Sequence, residues 1–232
     1  MEQTRKLPMV EIFETVEGEG LKAGFLTTFV RLYNCNLRCV WCDTQYSYAP
    51  HPPEFYATIE DIVEQTAQYG NPHVCLTGGE PLMHGEKSLA LVRALADVKD
   101  IQDIHIETNG AIDLSPFQEE RKANTSVKEK VRFVLDYKLA SSGESEQMIL
   151  SNFDLLEPQD EIKFVVGDEA EFQEASQVIE ARYKQGQILF SPVWEKLAPA
   201  DLVKMLLLSP YKGAKLSLQT HKYIWHPDTK GV

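Results

Sequence analysis

The chain predicts an α/β fold in which parallel βα units wind into a full or partial barrel, and three observations carry that reading. Apolar runs with strand character alternate with amphipathic runs at helical spacing almost to the end of the 232 residues. No linker, internal repeat or low-complexity segment divides them, so a single domain over 1–232 is expected. The unusual polar residues all fall at the carboxyl ends of the expected strands, the rim on which βα barrels assemble their sites.

In order, strands are expected at 9–13, 25–33, 73–76, 104–106, 131–135, 161–166, 187–190 and 215–218. A helix begins at the capping residue Thr58, carries Ile59, Ile62 and Val63, and stops near Gly70. Leu89, Leu91, Val92 and Leu95 mark a second helix. Phe172, Ala175, Val178, Ile179 and Arg182, between Asp168 and Gly186, mark a third, and 202–207 a fourth. Two stretches read as irregular, mobile loops: 45–56 with three prolines, and 110–130 with Pro116 and many charges.

Bulk chemistry narrows the function. Lys and Arg number 23 against 35 Asp and Glu, a net charge of −12 without a basic block, which argues against a nucleic-acid groove. Residues 1–20 are polar and acidic rather than a basic flank with an apolar run, and no stretch approaches membrane-spanning length, so a cytoplasmic protein without membrane contact is expected. Four cysteines, three of them within eight positions, point to metal binding or thiol chemistry rather than to a disulfide framework.

Those three are Cys35, Cys39 and Cys42, in Asn34-Cys35-Asn36-Leu37-Arg38-Cys39-Val40-Trp41-Cys42-Asp43-Thr44. Three thiolates can hold one metal cluster and leave one metal without a protein ligand, where a small molecule can bind and react. Structural zinc would want four ligands, usually as two separated pairs. The fourth cysteine, Cys75, lies in the apolar run Val74-Cys75-Leu76, where burial raises its pKa, and it reads as core. An iron–sulfur cluster therefore fits better than zinc or inert buried thiols.

Further polar clusters follow later strands: Thr77-Gly78-Gly79-Glu80-Pro81, Glu107-Thr108-Asn109-Gly110, Asp136-Tyr137-Lys138, Gly167-Asp168, Ser191-Pro192-Val193 and Gln219-Thr220-His221-Lys222. The C-x3-C-x2-C spacing with Trp41 before the last cysteine, and Gly-Gly-Glu-Pro after it, resemble the radical S-adenosylmethionine superfamily. That resemblance implies a partial, incomplete TIM-like βα barrel. It also implies a 4Fe-4S cluster whose fourth iron is chelated by the amino and carboxylate groups of S-adenosylmethionine. Trp41 and Asp43 would then lie beside the cofactor, the glycines would let backbone approach its methionyl group, and Glu80 would accept from its ammonium.

Four more segments are similar to the 7-carboxy-7-deazaguanine synthase family: Thr15-Val16-Glu17-Gly18-Glu19-Gly20, Arg31, Cys42-Asp43-Thr44 and Leu218-Gln219-Thr220-His221-Lys222. The likeness runs from about Val10 to Val232. It implies a lyase that converts 6-carboxy-5,6,7,8-tetrahydropterin to 7-carboxy-7-deazaguanine with loss of ammonia, on the route to queuosine. Hydrogen abstraction at C6 and radical ring contraction are the implied chemistry. Magnesium, a homodimer and an electron donor such as flavodoxin or ferredoxin are implied with it.

Carried over by position, Val16, Glu17, Gly18, Arg31, Thr77, His221 and Pro227 fall on substrate contacts and Thr44 on the magnesium ligand. Gly78, Gly79, Asp136, Tyr137, Lys138 and, more loosely, Ser191, Pro192, Val193 and Trp194 fall on cofactor contacts. Many members carry glutamine where this chain has Glu17, although a carboxylate suits the paired N–H donors of an aminopyrimidinone edge. The tail, about 219–232, is expected to close the barrel mouth.

Duller readings stand beside these. Arg31 can be a surface ion pair, Thr44 a loop hydroxyl and His221 a core histidine. His51, His73, His84, His105 and His226 read as structural or exposed. A glycyl-radical-activating enzyme and a non-catalytic metal-binding module are the alternative functions.

Overall fold

A computed structural model describes residues 6–227 and 229–232; the first five residues of the expected domain, and Asp228 within the expected closing tail, lie outside the described residues. Among the described residues nine strands form one open sheet in the order β3-β1-β2-β4-β5-β6-β7-β8-β9. They are β1 (Leu7–Val16), β2 (Leu26–Leu32), β3 (Phe55–Ala57), β4 (His73–Gly78), β5 (Asp103–Thr108), β6 (Val131–Tyr137), β7 (Glu161–Val166), β8 (Gln187–Pro192) and β9 (Lys215–Leu216). From β2 onward along the sheet every neighbouring pair is parallel, the arrangement of a partial βα barrel.

Helices fill the crossovers: α1 (Ile59–Gln68), α2 (Glu86–Ala96), α3 (Ser115–Ala123), α4 (Thr125–Lys130), α5 (Glu169–Arg182) and α6 (Pro199–Leu208), with a last turn, α7 (His221–Ile224), in the tail. Thr58 caps α1 as expected, in a reciprocal capping box with Asp61. Among the described residues no helix is long and apolar enough to cross a membrane.

Three expectations change. The first strand is antiparallel to both its neighbours, because β1 and β2 form a hairpin rather than a βα unit. The segment 45–56 is not a free loop: Ser47 and Tyr48 are buried, Asn34 N donates to the Ser47 carbonyl at 2.6 Å, and Phe55 and Tyr56 already belong to edge strand β3. The segment 110–130 is largely helical. Pro116 sits in the first turn of α3, where its missing N–H costs nothing, and Asn124 caps α4.

The two faces of the sheet differ in chemistry, and this positions the site. Val74, Leu76, Ile104, Ile106, Phe133, Leu135, Ile162, Phe164, Ile188 and Phe190 belong to the apolar core. The alternate residues Cys75, Thr77, Glu107, Asp136 and Lys163 line a cavity on the other face. Parallel sheets are ordinarily apolar on both faces. Here helices cover only one, and the concave face is polar.

Candidate active site

The cysteine loop is held by an extension of the β2–β4 pairing. Gly79 N donates to the Leu32 carbonyl at 3.2 Å and Glu80 N to the Asn34 carbonyl at 2.8 Å. A Cβ on Gly78 would lie 2.2 Å from the Leu32 carbonyl oxygen. One on Gly79 would lie 2.3 Å from that of Asn34 and 2.7 Å from Cys35 Cβ. The glycine pair therefore permits contact between two backbones, and both glycines also line the cavity on the concave face. Asn34 starts the loop at φ 88°, a conformation asparagine tolerates, and its Oδ1 accepts from Cys35 N at 3.0 Å.

Cys35, Cys39 and Cys42 are half-buried, free of disulfides, and all line a cavity of about 700 Å³. Burial pushes the Cys35 thiol up, and the Cys39 thiol up to about 11. Such thiols become thiolates when a metal replaces the proton. Donors for the resulting sulfur are in place: Leu37 N lies 3.4 Å and Asn109 Nδ2 3.7 Å from Cys35 Sγ, and Thr44 Oγ1 3.7 Å from Cys42 Sγ. Three thiols on one cavity, with N–H or O–H groups beside the Cys35 and Cys42 sulfurs, fit a cluster held by three cysteines, and the cavity has the size of a small-molecule site.

At the floor, Glu17 is buried with its Oε2 2.6 Å from His105 Nε2, while its Oε1 accepts from Glu19 N at 3.1 Å. His105 Nδ1 faces Asp103 Oδ2 at 3.4 Å, an ion-pair distance rather than a formed hydrogen bond. Arg132 grips Asp103 through Nε at 2.8 Å and Nη2 at 3.2 Å, and its Nη1 bonds Glu161. Burial works against the imidazolium, but the Cys75 sulfur and the Glu17 carboxylate beside it hold the His105 pKa well above the usual histidine range. Burial likewise works against the Glu17 carboxylate, which His105 holds below its ordinary value. Glu17, Cys75 and His105 bring three donor atoms within 4.8 Å of one another. His105 faces a carboxylate from each of its two nitrogens, so the group reads as an ion-pair network.

Higher on the concave face, Lys163 reaches Glu107 at 3.0 Å, Glu19 at 3.3 Å and Asp136 at 3.5 Å, and Lys138 pairs with Asp136 at 2.9 Å. Asp136 Oδ1 and Ser191 Oγ are buried without a hydrogen-bond partner among the described residues. Lys138 Nζ lies 5.1 Å from the centre of the Trp41 ring. Arg31 donates through Nε to Glu11 at 2.8 Å, and Tyr46 shares that oxygen at 3.2 Å.

The structure joins motifs that lie 200 residues apart. Thr220 N and Oγ1 donate to the Gly18 carbonyl at 3.0 and 2.9 Å, and Gly20 N donates to Ser217 Oγ at 3.0 Å. A Cβ on Gly18 would lie 2.4 Å from His221 Nδ1, so that glycine permits the contact. Lys222 ties the tail to the cysteine loop through Asp43 at 3.1 Å. Pro227 and residues 229–232 line the cavity.

Of the residues singled out from sequence, Val16, Glu17, Gly18, Arg31, Trp41, Asp43, Thr44, Thr77, Gly78, Gly79, Asp136, Lys138, Val193, Trp194, His221 and Pro227 line this cavity with the three cysteines. Glu80 does not. Its oxygens are buried and take Leu82 N, Thr108 Oγ1 and Asn109 N at 2.7–3.1 Å, bracing the next strand end. Tyr137 points the other way, against Phe153 and Phe164. Ser191 and Pro192 are buried outside the lining.

Sequence reasoning placed Glu107 and Asn109 in a polar strand-end cluster without giving them a role, missed Lys163, set Cys75 aside as core and took His105 as structural or exposed. The signal was present in Asp103-Ile-His-Ile-Glu-Thr and Glu161-Ile-Lys-Phe, where charged residues alternate with apolar ones inside strands of a parallel sheet.

This fold and site define the class. The radical SAM superfamily matches residues 30–140, and the fold is also that of QueE from Escherichia coli, with a TM-score of 0.70 at 22% identity over 94% of this chain and 96% of that one. The chain is 33% identical to the 7-carboxy-7-deazaguanine synthase of Leptospira interrogans, over 98% of each. It is also 33% identical to that of Clostridium acetobutylicum, over 97% of this chain and 98% of the relative. The chain belongs to the 7-carboxy-7-deazaguanine synthase family.

Proposed function

We propose that this protein converts 6-carboxy-5,6,7,8-tetrahydropterin to 7-carboxy-7-deazaguanine with loss of ammonia, as a radical S-adenosylmethionine lyase. One observation carries the reading beyond family membership: the cysteine loop, the 16–20 segment and the 219–222 segment meet on a single cavity. A 4Fe-4S cluster with bound S-adenosylmethionine supplies one-electron cleavage of the sulfonium and a hydrogen-abstracting carbon radical.

The chain's own residues hold and shield. Cys35, Cys39 and Cys42 would hold the cluster. Thr44, a neutral oxygen on the cavity wall, suits magnesium, which keeps most of its waters. Arg31 meets the substrate carboxylate with a planar fork that Glu11 orients from behind. Glu17 accepts from the aminopyrimidinone edge, and His221 and Pro227 cover it. Asp136, Lys138, Val193 and Trp194 flank the cofactor. The tail excludes water, which a primary carbon radical requires of its surroundings. A homodimer in the cytoplasm, reduced by a flavodoxin or ferredoxin, completes the proposal.

The test is product analysis of anaerobically reconstituted protein with dithionite, S-adenosylmethionine and the carboxytetrahydropterin, with and without magnesium. The deazapurine and ammonia are expected, faster with magnesium. S-adenosylmethionine cleavage without either product points to a different radical enzyme, and no cleavage at all to a metal-binding module.

A further inference from the structure

The floor network goes beyond contact with substrate. Glu17 has about four acceptor sites on its two oxygens. Glu19 N and His105 Nε2 occupy one on each. The remaining site on each oxygen belongs to a residue on the cavity wall, the arrangement that meets two parallel N–H donors. Whether those sites accept or donate depends on where the proton between Glu17 and His105 resides. With the proton on the ring, Glu17 is a pure acceptor; with it on Glu17, one oxygen becomes a donor.

The groups nearest the ring are Glu17 from the end of β1, Cys75 from β4, Asp103 from β5 and Arg132 from β6, whose guanidinium is committed to Asp103 and Glu161, with Glu107 of β5 and His73 of β4 also acting on it. Lys22 also reaches Asp103, at 3.7 Å. The ring thus lies between the carboxylates of Glu17 and Asp103, 2.6 and 3.4 Å from its two nitrogens. Asp103 faces the far side of the ring at 3.4 Å, an ion-pair contact opposite the Nε2–Glu17 bond.

We infer that His105 is a specificity-determining positioning residue: ion-paired to Asp103 behind it, it keeps Glu17 a double acceptor, so that the cavity selects a ligand with paired N–H donors. This rests on the proposed substrate, whose 2-amino group and ring N–H form such an edge. Sites built to pair donors reject analogues lacking one far more strongly than apolar pockets reject a missing methylene.

The test compares equilibrium binding of 6-carboxytetrahydropterin and its 2-deamino analogue to the oxidised holoenzyme with S-adenosylmethionine and magnesium. Wild-type protein should prefer the pterin by roughly 100-fold or more, and H105Q should cut that preference about tenfold. The double variant E17Q/H105Q should lose little beyond H105Q, because the two residues act as one unit. If H105Q weakens both ligands by the same factor, the residue is merely structural and the inference is overturned. A wild-type protein that binds no pterin overturns the proposed function, and the inference with it. Should H105Q fail to hold its cluster, 15N NMR of the wild-type imidazole decides: two protonated nitrogens at pH 7 support the inference, and a neutral ring overturns it.

Discussion

Gly79 shows how one residue can position the cysteine loop through its backbone. Its missing Cβ lets β4 press against the loop that carries the cysteines, and Ala there would strike the Asn34 carbonyl. G79A should cost about 1–3 kcal/mol by overpacking and displace Cys35. The expected outcome is a folded protein by circular dichroism that retains much less iron than wild type after reconstitution; full iron content would contradict it. The His105–Glu17 pair gives a pH signature. The raised His105 pKa contributes stability that is fully present below its unfolded value near 6.5 and lost as pH rises toward the folded value. The depressed Glu17 pKa contributes above about 4.5 and is lost as pH falls further. The difference in unfolding free energy between wild type and H105Q, from urea titrations, should therefore be widest between about pH 4.5 and 6.5. It should narrow above that, with a limiting slope of about 1.4 kcal/mol per pH unit; a difference flat from pH 5 to 9 contradicts the pairing. The cysteine triplet, Arg31 and Thr44 were legible because motif spacing is local. His105 was not, since its partner Glu17 lies 88 positions away and only the fold brings them together.

At the scale of elements, the region after β5 explains why charge was a poor guide. Arg121 is fully buried on α3, bonded through Nη1 and Nη2 to Asp160 at 2.7 and 2.9 Å, through Nε to Gln118 at 2.7 Å, and stacked 4.7 Å from the Phe133 ring centre. A charge run that reads as a solvated loop is here an anchor for the helix layer. R121A leaves Asp160 buried and unpaired and should cost about 3–5 kcal/mol, measured by urea denaturation; a loss below 1 kcal/mol would show that the pair is replaceable. The tail is the second element with a sharp expectation. Truncation after His226 removes Pro227 and residues 229–232 from the cavity wall while keeping the Thr220–Gly18 and Lys222–Asp43 ties. The shortened protein should release 5′-deoxyadenosine without proportionate product, and an unchanged ratio of the two would mean that the tail shields nothing.

For the whole molecule, the alternation of strands and helices was enough to give parallel βα units and a rim of polar strand ends, because hydrophobic period is a property of the chain itself. What escaped it was pairing that depends on distant partners: the antiparallel β1, the edge strand β3, and the bridge from residues 18–20 to 217–220 that joins the first hairpin to the segment after the last strand. The same open sheet, apolar on its helix side and charged on its concave side, turns scattered motifs into one cavity. The central claim is that three cysteines on this concave face hold a cluster with one iron free for the cofactor. Electron paramagnetic resonance of the reduced, reconstituted protein tests it most directly: a 4Fe-4S signal that changes shape on adding S-adenosylmethionine, and is lost in C39A, is predicted, whereas a signal indifferent to the cofactor would contradict the account.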